Sequence, residues 1–464
     1  MKIFSDIINN KYYLFFILLF YTIVVSFFIQ DILLPNFFPE AVSNQGLLIN
    51  SDSFRYHELA VSLSNKINSL GWQKWELLAY GERHFIVGLT SLFYALIVPE
   101  AWVMIPINAF VHILTVFILI KIALFFTDKY HLALLSVTPY MFFPTASFWY
   151  SQLLKDGYYN LGVIMFCYGW MYIAHTKGPS SKSLSILVGP FCILLGYLLM
   201  GLIRSFSLSV MLLESLLIFV VLVIMLFILI NEKKLNWHQY FKKIFLSLFC
   251  ILMMGQIQDF LIKNDYTDQY NSDGALISQT DYVNIQSIDK TFGDPDWLSA
   301  IIDKKMLMLA DIRRGYISAN KSKNSSSAID LDVTFKNATE TFLYIPRALQ
   351  ISFFSPFPNE WFEKGSNKSR TVMRKVSMFE MSLVYISFLF FPLIFKYWAK
   401  RPELWIALFY CSSMMTLYAL VVPNIGTIYR FRYSYLMILI SILIISGYKY
   451  IYKKYFMDNE KYNS

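Results

Sequence analysis

The sequence predicts an all-α protein that crosses a membrane many times, and three observations carry that prediction. Of its 464 residues 56% are hydrophobic and 18% aromatic, with a mean hydropathy of +0.48, more apolar surface than a soluble domain of this length needs to fill its core. The apolar residues fall in runs of about 16 to 20 with almost no charge, such as Leu212 to Ile230 and Tyr433 to Tyr448, and a hydrocarbon core of roughly 30 Å takes about 20 helical residues. The short segments between the runs are basic, the pattern of loops that stay on the cytoplasmic side.

Taken in order, the first run lies within Met1 to Leu34 behind a lysine-bearing start. It is too long for a signal peptide and no small-residue cleavage site follows, so it is expected to remain as a first spanning helix, near 12–34. Further spans are expected near 101–126, 131–149, 157–175, 185–203, 206–230, 243–262, 378–396, 404–422 and 433–449, about ten in all. With the first residues inside, the loops around Lys129, Lys177 and Lys182, Lys233 to Lys243, Lys396 to Arg401 and the tail with Lys449, Lys453 and Lys454 all become cytoplasmic. His84 to Val98 is about 15 residues, too short to cross, and counting it as a span would reverse the later basic loops. It is expected to lie along the membrane.

This divides the chain into a membrane module at 1–262 with an external loop at 35–100, a large external loop or small subdomain at 263–377, and further spanning helices with a cytoplasmic tail at 378–464. Within the large loop the Ser/Asn-rich piece Asn320 to Ser327 is expected to be mobile. No internal repeat is visible. The four cysteines, Cys167, Cys192, Cys250 and Cys411, sit in apolar stretches and predict neither a disulfide framework nor a thiolate metal site. The formal charge of +9 is concentrated in the short loops, so it points to topology and not to nucleic acid.

The most informative stretch is Asn50-Ser51-Asp52-Ser53-Phe54-Arg55-Tyr56-His57, just outside the first span. Ser51 or Ser53 can cap a short helix in which Tyr56 and Ala60 follow Asp52 at i+4 and i+8 on one face. A carboxylate held there can deprotonate an acceptor hydroxyl or help hold a divalent ion against a sugar phosphate; an acid that merely caps a loop helix would look the same. Asp156, in Ser151-Gln152-Leu153-Leu154-Lys155-Asp156-Gly157, falls in the next external loop. Two carboxylates on separate external loops can split acid, base or metal-holding roles, although Lys155-Asp156 also reads as an ordinary charged boundary before a helix.

Cations gather on the same side: Arg204 at the outer end of one span, and Arg430 and Arg432 before the last. Guanidinium binds phosphate oxygens in a bidentate fork and neutralises a phosphate leaving group, while snorkelling to headgroups is the plainer account. In the large loop, Lys304 to Tyr316 reads as an amphipathic helix with basic flanks, and Tyr344 to Trp361 as a proline- and aromatic-rich wall or interfacial belt. Glu214 lies within a span, where a hydrogen-bonded structural role is expected, and His112 is similar.

On these residues the chain resembles the GT-C glycosyltransferases, the group that includes protein O-mannosyltransferases and the aminoarabinose transferases. In that family a first span leads to an external loop with an Asp motif and two membrane-lying helices, followed by a bundle of spans. Asp52-Ser53-Phe54-Arg55-Tyr56 resembles the motif loop and His84 to Val98 the second lying helix. The resemblance implies Asp52 and Asp156 as catalytic acids, Arg55, Tyr56, Arg204, Arg430 and Arg432 as groups that bind substrate and phosphate, and Asp52 and Asp156 as the ligands of any Mg or Mn ion. It also implies a polyprenyl-phosphate sugar as donor, a glycan or lipid-linked acceptor, membrane lipids as surroundings and an inverting transfer on the periplasmic face of a bacterial inner membrane. The likeness is best over the first two hundred residues. An abundance of Ile, Phe, Tyr, Lys and Asn resembles products of bacterial surface-polysaccharide loci. Two rivals stand beside this reading. An O-antigen-type polymerase would use external arginines too, but no arginine here has glycine eleven positions later. A lipid-linked oligosaccharide flippase should carry intramembrane charges along a path, for which Glu214 and His112 are the candidates.

Overall fold

The structure is a computed structural model that describes residues 10–49, 51–78, 85–175, 183–204, 207–267, 300–322, 324–365 and 368–454. The Lys177 and Lys182 loop, Asn50, His84 and 268–299 of the large loop lie outside the described residues. Among the described residues every named element is helical, with isolated bridges at Val42–Leu48 and Ala328–Asn424. Among the described residues seven helices are long and apolar enough to cross a membrane: Lys11–Phe37, Ala101–Ala123, Ser185–Ile203, Ser207–Asn231, Trp237–Leu261, Pro402–Val421 and Tyr433–Tyr452. Thr371–Phe388 and Phe391–Trp398, bent by 42° at their break, make an eighth if counted as one span.

The expected ten are therefore not reproduced, and two runs account for the difference. The 131–149 run is three short helices, Tyr130–Ser136, Thr138–Phe142 and Pro144–Tyr150. Pro139 and Pro144 each open a new helix because the ring removes the N–H that would continue the old one. The 157–175 run is one helix, Asp156–Ala174, 19 residues long, or about 28 Å at 1.5 Å per residue. Its glycines, tyrosines and asparagine make it too polar for lipid, and protein supplies the cover instead: every residue but Gly157 and Tyr172 is buried.

In chain order the principal helices are α1 (Lys11–Phe27), α2 (Asp52–Leu70), α3 (Phe85–Leu96), α4 (Ile105–Ala123), α5 (Asp156–Ala174), α6 (Val188–Ile203), α7 (Ser207–Asn231), α8 (Trp237–Thr267), α9 (Ala300–Ser322), α10 (Ala338–Phe354), α11 (Lys368–Phe388), α12 (Phe391–Trp398), α13 (Pro402–Val421), α14 (Ile425–Phe431) and α15 (Tyr433–Tyr452). Two compact units emerge, one of Met1–Asp265, Ile386–Phe409 and Met437–Ser464, the other of Tyr266–Tyr385 and Tyr410–Leu436.

In the first unit α5 is the central helix, packed closely on α6 and α4. The α5–α6 seam is built on glycine. A Cβ at Gly162 would stand 2.9 Å from the Gly196 carbonyl oxygen, and one at Gly196 would stand 2.6 Å from that of Gly162; two turns further along, a Cβ at Gly169 would meet the Gly189 oxygen at 2.7 Å. Small residues let two backbones approach where lipid supplies no hydrophobic drive between helices. At one end of this unit chain-distant basic loops are tied together. Lys400 pairs with Glu232 at 2.7 Å, His175 with the buried Glu403, and Lys243 donates to the carbonyls of Ile173 at 2.5 Å and His175 at 2.7 Å.

The second unit has its own core of Ala310, Phe335, Ala348, Ile351, Leu420, Val422 and Ile428. Arg313, 1% exposed, runs through it and donates to the carbonyls of Val333, Asp330 and Leu420 at 2.9 to 3.1 Å. The Asn320–Ser327 piece, expected to be mobile, is instead pinned. Asn424 caps α14, and its Nδ2 donates to Asn320 Oδ1 at 2.6 Å and Ser325 Oγ at 2.9 Å while Ser327 Oγ donates to its Oδ1 at 3.2 Å. Polar side chains that would suit a solvated loop here satisfy a helix end.

Candidate functional site

Helix α2 starts at Ser51, an extended N-cap residue, with Asp52 in the first turn where the helix dipole favours an acid. It stops at Gly71, whose φ of +93° suits glycine. One stripe is buried, including Ser53, Tyr56, His57, Ala60 and Ile67, while Asp52 and Arg55 are exposed. The face expected to be shared by Asp52, Tyr56 and Ala60 is thus split, with Tyr56 and Ala60 turned to the buried side and Asp52 to the exposed one. His57 Nδ1 meets the Tyr94 hydroxyl of α3 at 2.8 Å. Burial holds this imidazole below its ordinary range, against the smaller opposing pull of Glu100 and Glu58.

The segment before α5 is bound to the start of α2 through Gln152. Its Oε1 accepts from Ser53 Oγ at 3.2 Å and from the Leu48 N–H at 3.0 Å, and its Nε2 donates to the Gly46 carbonyl at 3.1 Å. Asn108 of α4 donates to the Gln152 carbonyl at 3.3 Å and accepts from the Tyr158 hydroxyl at 3.0 Å. On the other side Gln30, in a π-helical stretch after α1, donates to the Gln45 carbonyl at 2.8 Å, and Gln45 Oε1 accepts from the Ala101 N–H at 2.9 Å. Gly46 has φ +66°, and a Cβ there would lie 2.2 Å from the Gln30 carbonyl oxygen, so glycine alone fits this turn.

This scaffold brings four of the expected residues into one neighbourhood. Lys155, the N-cap of α5, places its Nζ 5.9 Å from the centre of the Tyr56 ring. The next residue, Asp156, accepts from Arg204 Nη2 at 2.8 Å, and each of these side chains is 5% exposed. Arg204 caps α6 in an extended conformation and stacks its guanidinium 4.4 Å from the Tyr159 ring centre. Asp52 is an exposed carboxylate at the start of α2, whereas the Asp156 carboxylate is buried against an arginine. Among the described residues no three His, Cys, Asp or Glu side chains come together as a metal site would need.

Arg430 and Arg432 belong to the second unit. Arg430 is half-buried, its guanidinium 5.8 Å from the Phe431 ring centre. Arg432 is 0% exposed and clamps the end of α10, donating from Nη1 to the Ile351 and Ser352 carbonyls at 3.1 and 2.6 Å and from Nη2 to that of Ser355. It satisfies carbonyls that a helix end leaves open, so the expected phosphate ligand gives way at this position to a helix clamp. The Tyr344–Trp361 wall resolves into α10 and the short 3₁₀ turn Pro358–Glu360, with Arg347 and Tyr344 both on the Asp330 carboxylate, at 3.0 and 2.6 Å.

Sequence reasoning passed over Gln152, Lys155 and Asn108. Asn108 had a signal, a lone amide in an apolar run; Gln152 had none, since its role is set by partners about a hundred residues away. No family model matches the chain, and no curated protein and no solved structure matches it.

Proposed function

We propose that the chain is an integral membrane glycosyltransferase that moves a sugar from a polyprenyl-phosphate carrier to a glycan or lipid-linked acceptor. The observation that supports this best is the joining of two chain-distant membrane-boundary segments, the start of α2 with its exposed Asp52 and the segment that carries Lys155 and the buried Asp156–Arg204 pair, through the Ser53–Gln152 bond and the Lys155–Tyr56 contact. In this reading the Asp52 carboxylate takes the proton of the acceptor hydroxyl. The freed oxygen attacks the anomeric carbon with inversion, and the carbon–oxygen bond to phosphate breaks with its electron pair leaving on the phosphate. Lys155 and Arg204 supply positive charge for that departing dianion, and Tyr56 forms the wall on which Lys155 rests.

The accompanying topology counts α5 and the broken 130–150 segment as passages through protein-lined membrane, which gives about ten. Both ends of the chain and the basic loops then lie in the cytoplasm of a bacterium, and the site on the outer face of its inner membrane. The test is transfer of label from a panel of polyprenyl-phosphate sugars to cell-envelope glycans by purified protein in lipid, with Asp52→Asn as the comparison. Loss of transfer by about a hundredfold or more in the variant, with folding intact, is expected for a general base. Equal rates would remove Asp52 from the mechanism. Transfer from none of the donors would overturn the transferase reading in favour of a polymerase or a flippase.

A further inference from the structure

At one end of the first unit four cations gather with aromatic rings in a way the proposed chemistry does not use. Lys449, in the last turn of α15, sets its Nζ 4.7 Å from the Tyr397 ring centre and 5.5 Å from that of Trp398. Lys129, between α4 and the Tyr130–Ser136 helix, sets its Nζ 4.7 Å from the ring centre of Tyr452, at the end of α15. Arg401, between α12 and α13, spends one N–H on the Phe125 carbonyl at 2.5 Å, out of five it can donate. Arg401 and Lys453 both lie within electrostatic reach of Lys449, with Asp128 as the opposing acid. Lys129, Arg401, Lys449 and Lys453 are all exposed.

Among the described residues Asp128 is the acid that faces Lys449, against the two further cations Arg401 and Lys453. Among the described residues Lys129, Arg401 and Lys449 enter no ion pair, whereas the adjacent Lys400 is taken up by Glu232. The lysines rest on ring faces instead, which fixes where they stand without cancelling their charge. The surroundings identify the counter-charge. The cluster sits at the ends of helices apolar enough to cross a membrane, beside exposed Tyr450, Ile451 and Tyr452, the arrangement of an aromatic belt at the headgroup layer.

We propose that Lys129, Arg401, Lys449 and Lys453, with the rings of Tyr397 and Tyr452, form a binding site for the phosphate headgroup of an anionic phospholipid. The lysines and arginine hold the phosphate, the rings occupy the glycerol level, and Ile451 lies against an acyl chain. The site is independent of the transferase reading and stands whether or not Asp52 is catalytic.

The experiment titrates phosphatidylglycerol into the purified full chain in neutral detergent and reads bound lipid by native mass spectrometry. Lys129→Gln/Lys449→Gln is expected to bind roughly thirtyfold more weakly, from about fivefold per charge near a membrane surface. Lys129→Arg/Lys449→Arg, which keeps the charge, should bind like the native chain, and so should Lys66→Gln/Lys74→Gln, which removes the same charge elsewhere. If the first double variant does not fold, each single change is expected to weaken binding about fivefold. The proposal is overturned if Lys129→Gln/Lys449→Gln binds phosphatidylglycerol as the native chain does. Equal loss in Lys66→Gln/Lys74→Gln overturns it as well, as would equal affinity for phosphatidylcholine. Displacement of the lipid by an equal concentration of inorganic phosphate would overturn it in favour of a free-anion site.

Discussion

Asp156 and Arg204 illustrate how burial changes the worth of a pair of charges. With each side chain 5% exposed, removal of either partner strands the other in a low-dielectric setting, at a cost of about 3 to 5 kcal/mol. Asp156→Leu and Arg204→Met are each expected to lose that much in thermal unfolding of the purified protein, and the double variant to recover most of it. Additive losses in the double variant would show that the two residues act separately. The exposed Asp52 behaves in the opposite way: its replacement should leave stability within about 0.5 kcal/mol, which is why its effect on transfer can be read cleanly. At this scale the sequence made the charged residues visible because a charge at the end of an apolar run stands out. It could not say what a guanidinium faces, and so Arg432, which caps three carbonyls, looked the same as Arg204.

Among elements, the α5–α6 seam is the clearest case of backbone packing. Gly162 and Gly169 on one helix face Gly196 and Gly189 on the other, and a Cβ at Gly196 would press on the Gly162 carbonyl oxygen at 2.6 Å and the Phe166 nitrogen at 2.8 Å. Neither atom belongs to a side chain that could turn aside. Gly196→Ala is therefore expected to destabilise the protein by roughly 1 to 3 kcal/mol. Gly255→Ala in α8, where a Cβ would meet nothing within 4 Å, should be neutral or gain up to about 1 kcal/mol. Thermal unfolding of the two variants side by side tests the contrast, and equal melting temperatures would remove the seam from the account. The spacing of these glycines was present in the sequence, but a hydropathy reading weighs glycine as neutral and passes over it. The same reading merged three short helices into one run at 131–149, since it counts apolar residues and not the prolines that divide them.

For the whole molecule the sequence made the class plain, because a mean hydropathy of +0.48 gathered into long uncharged runs has few other solutions. The number of spanning helices was less legible, since the apolar run at 157–175 forms a helix covered by protein and falls below the hydropathy of the others. The sidedness proposed above rests on the basic loops, and the linkage of Lys400 to Glu232 and of Lys243 to the end of α5 places several of them together. Single cysteines introduced at Lys129, Lys234 and Lys400 in a background without Cys167, Cys192, Cys250 and Cys411 are expected to resist an impermeant maleimide in intact cells. Cysteines at Lys74 and Lys336 should react with it. Labelling of Lys74 and Lys234 from the same side would refute the topology.

The enclosed position of α5 bears on how the chain is made. A segment that carries Asp156, Asn160, three glycines and several tyrosines gains little from lipid as it leaves the ribosome, and it arrives before the helix that covers it. On the ten-passage topology proposed above, its stay at the insertion machinery would last until residues 188–203 emerge and close the glycine seam. On the same topology the two would enter the bilayer as a hairpin, with Asp156 meeting Arg204 in the same event.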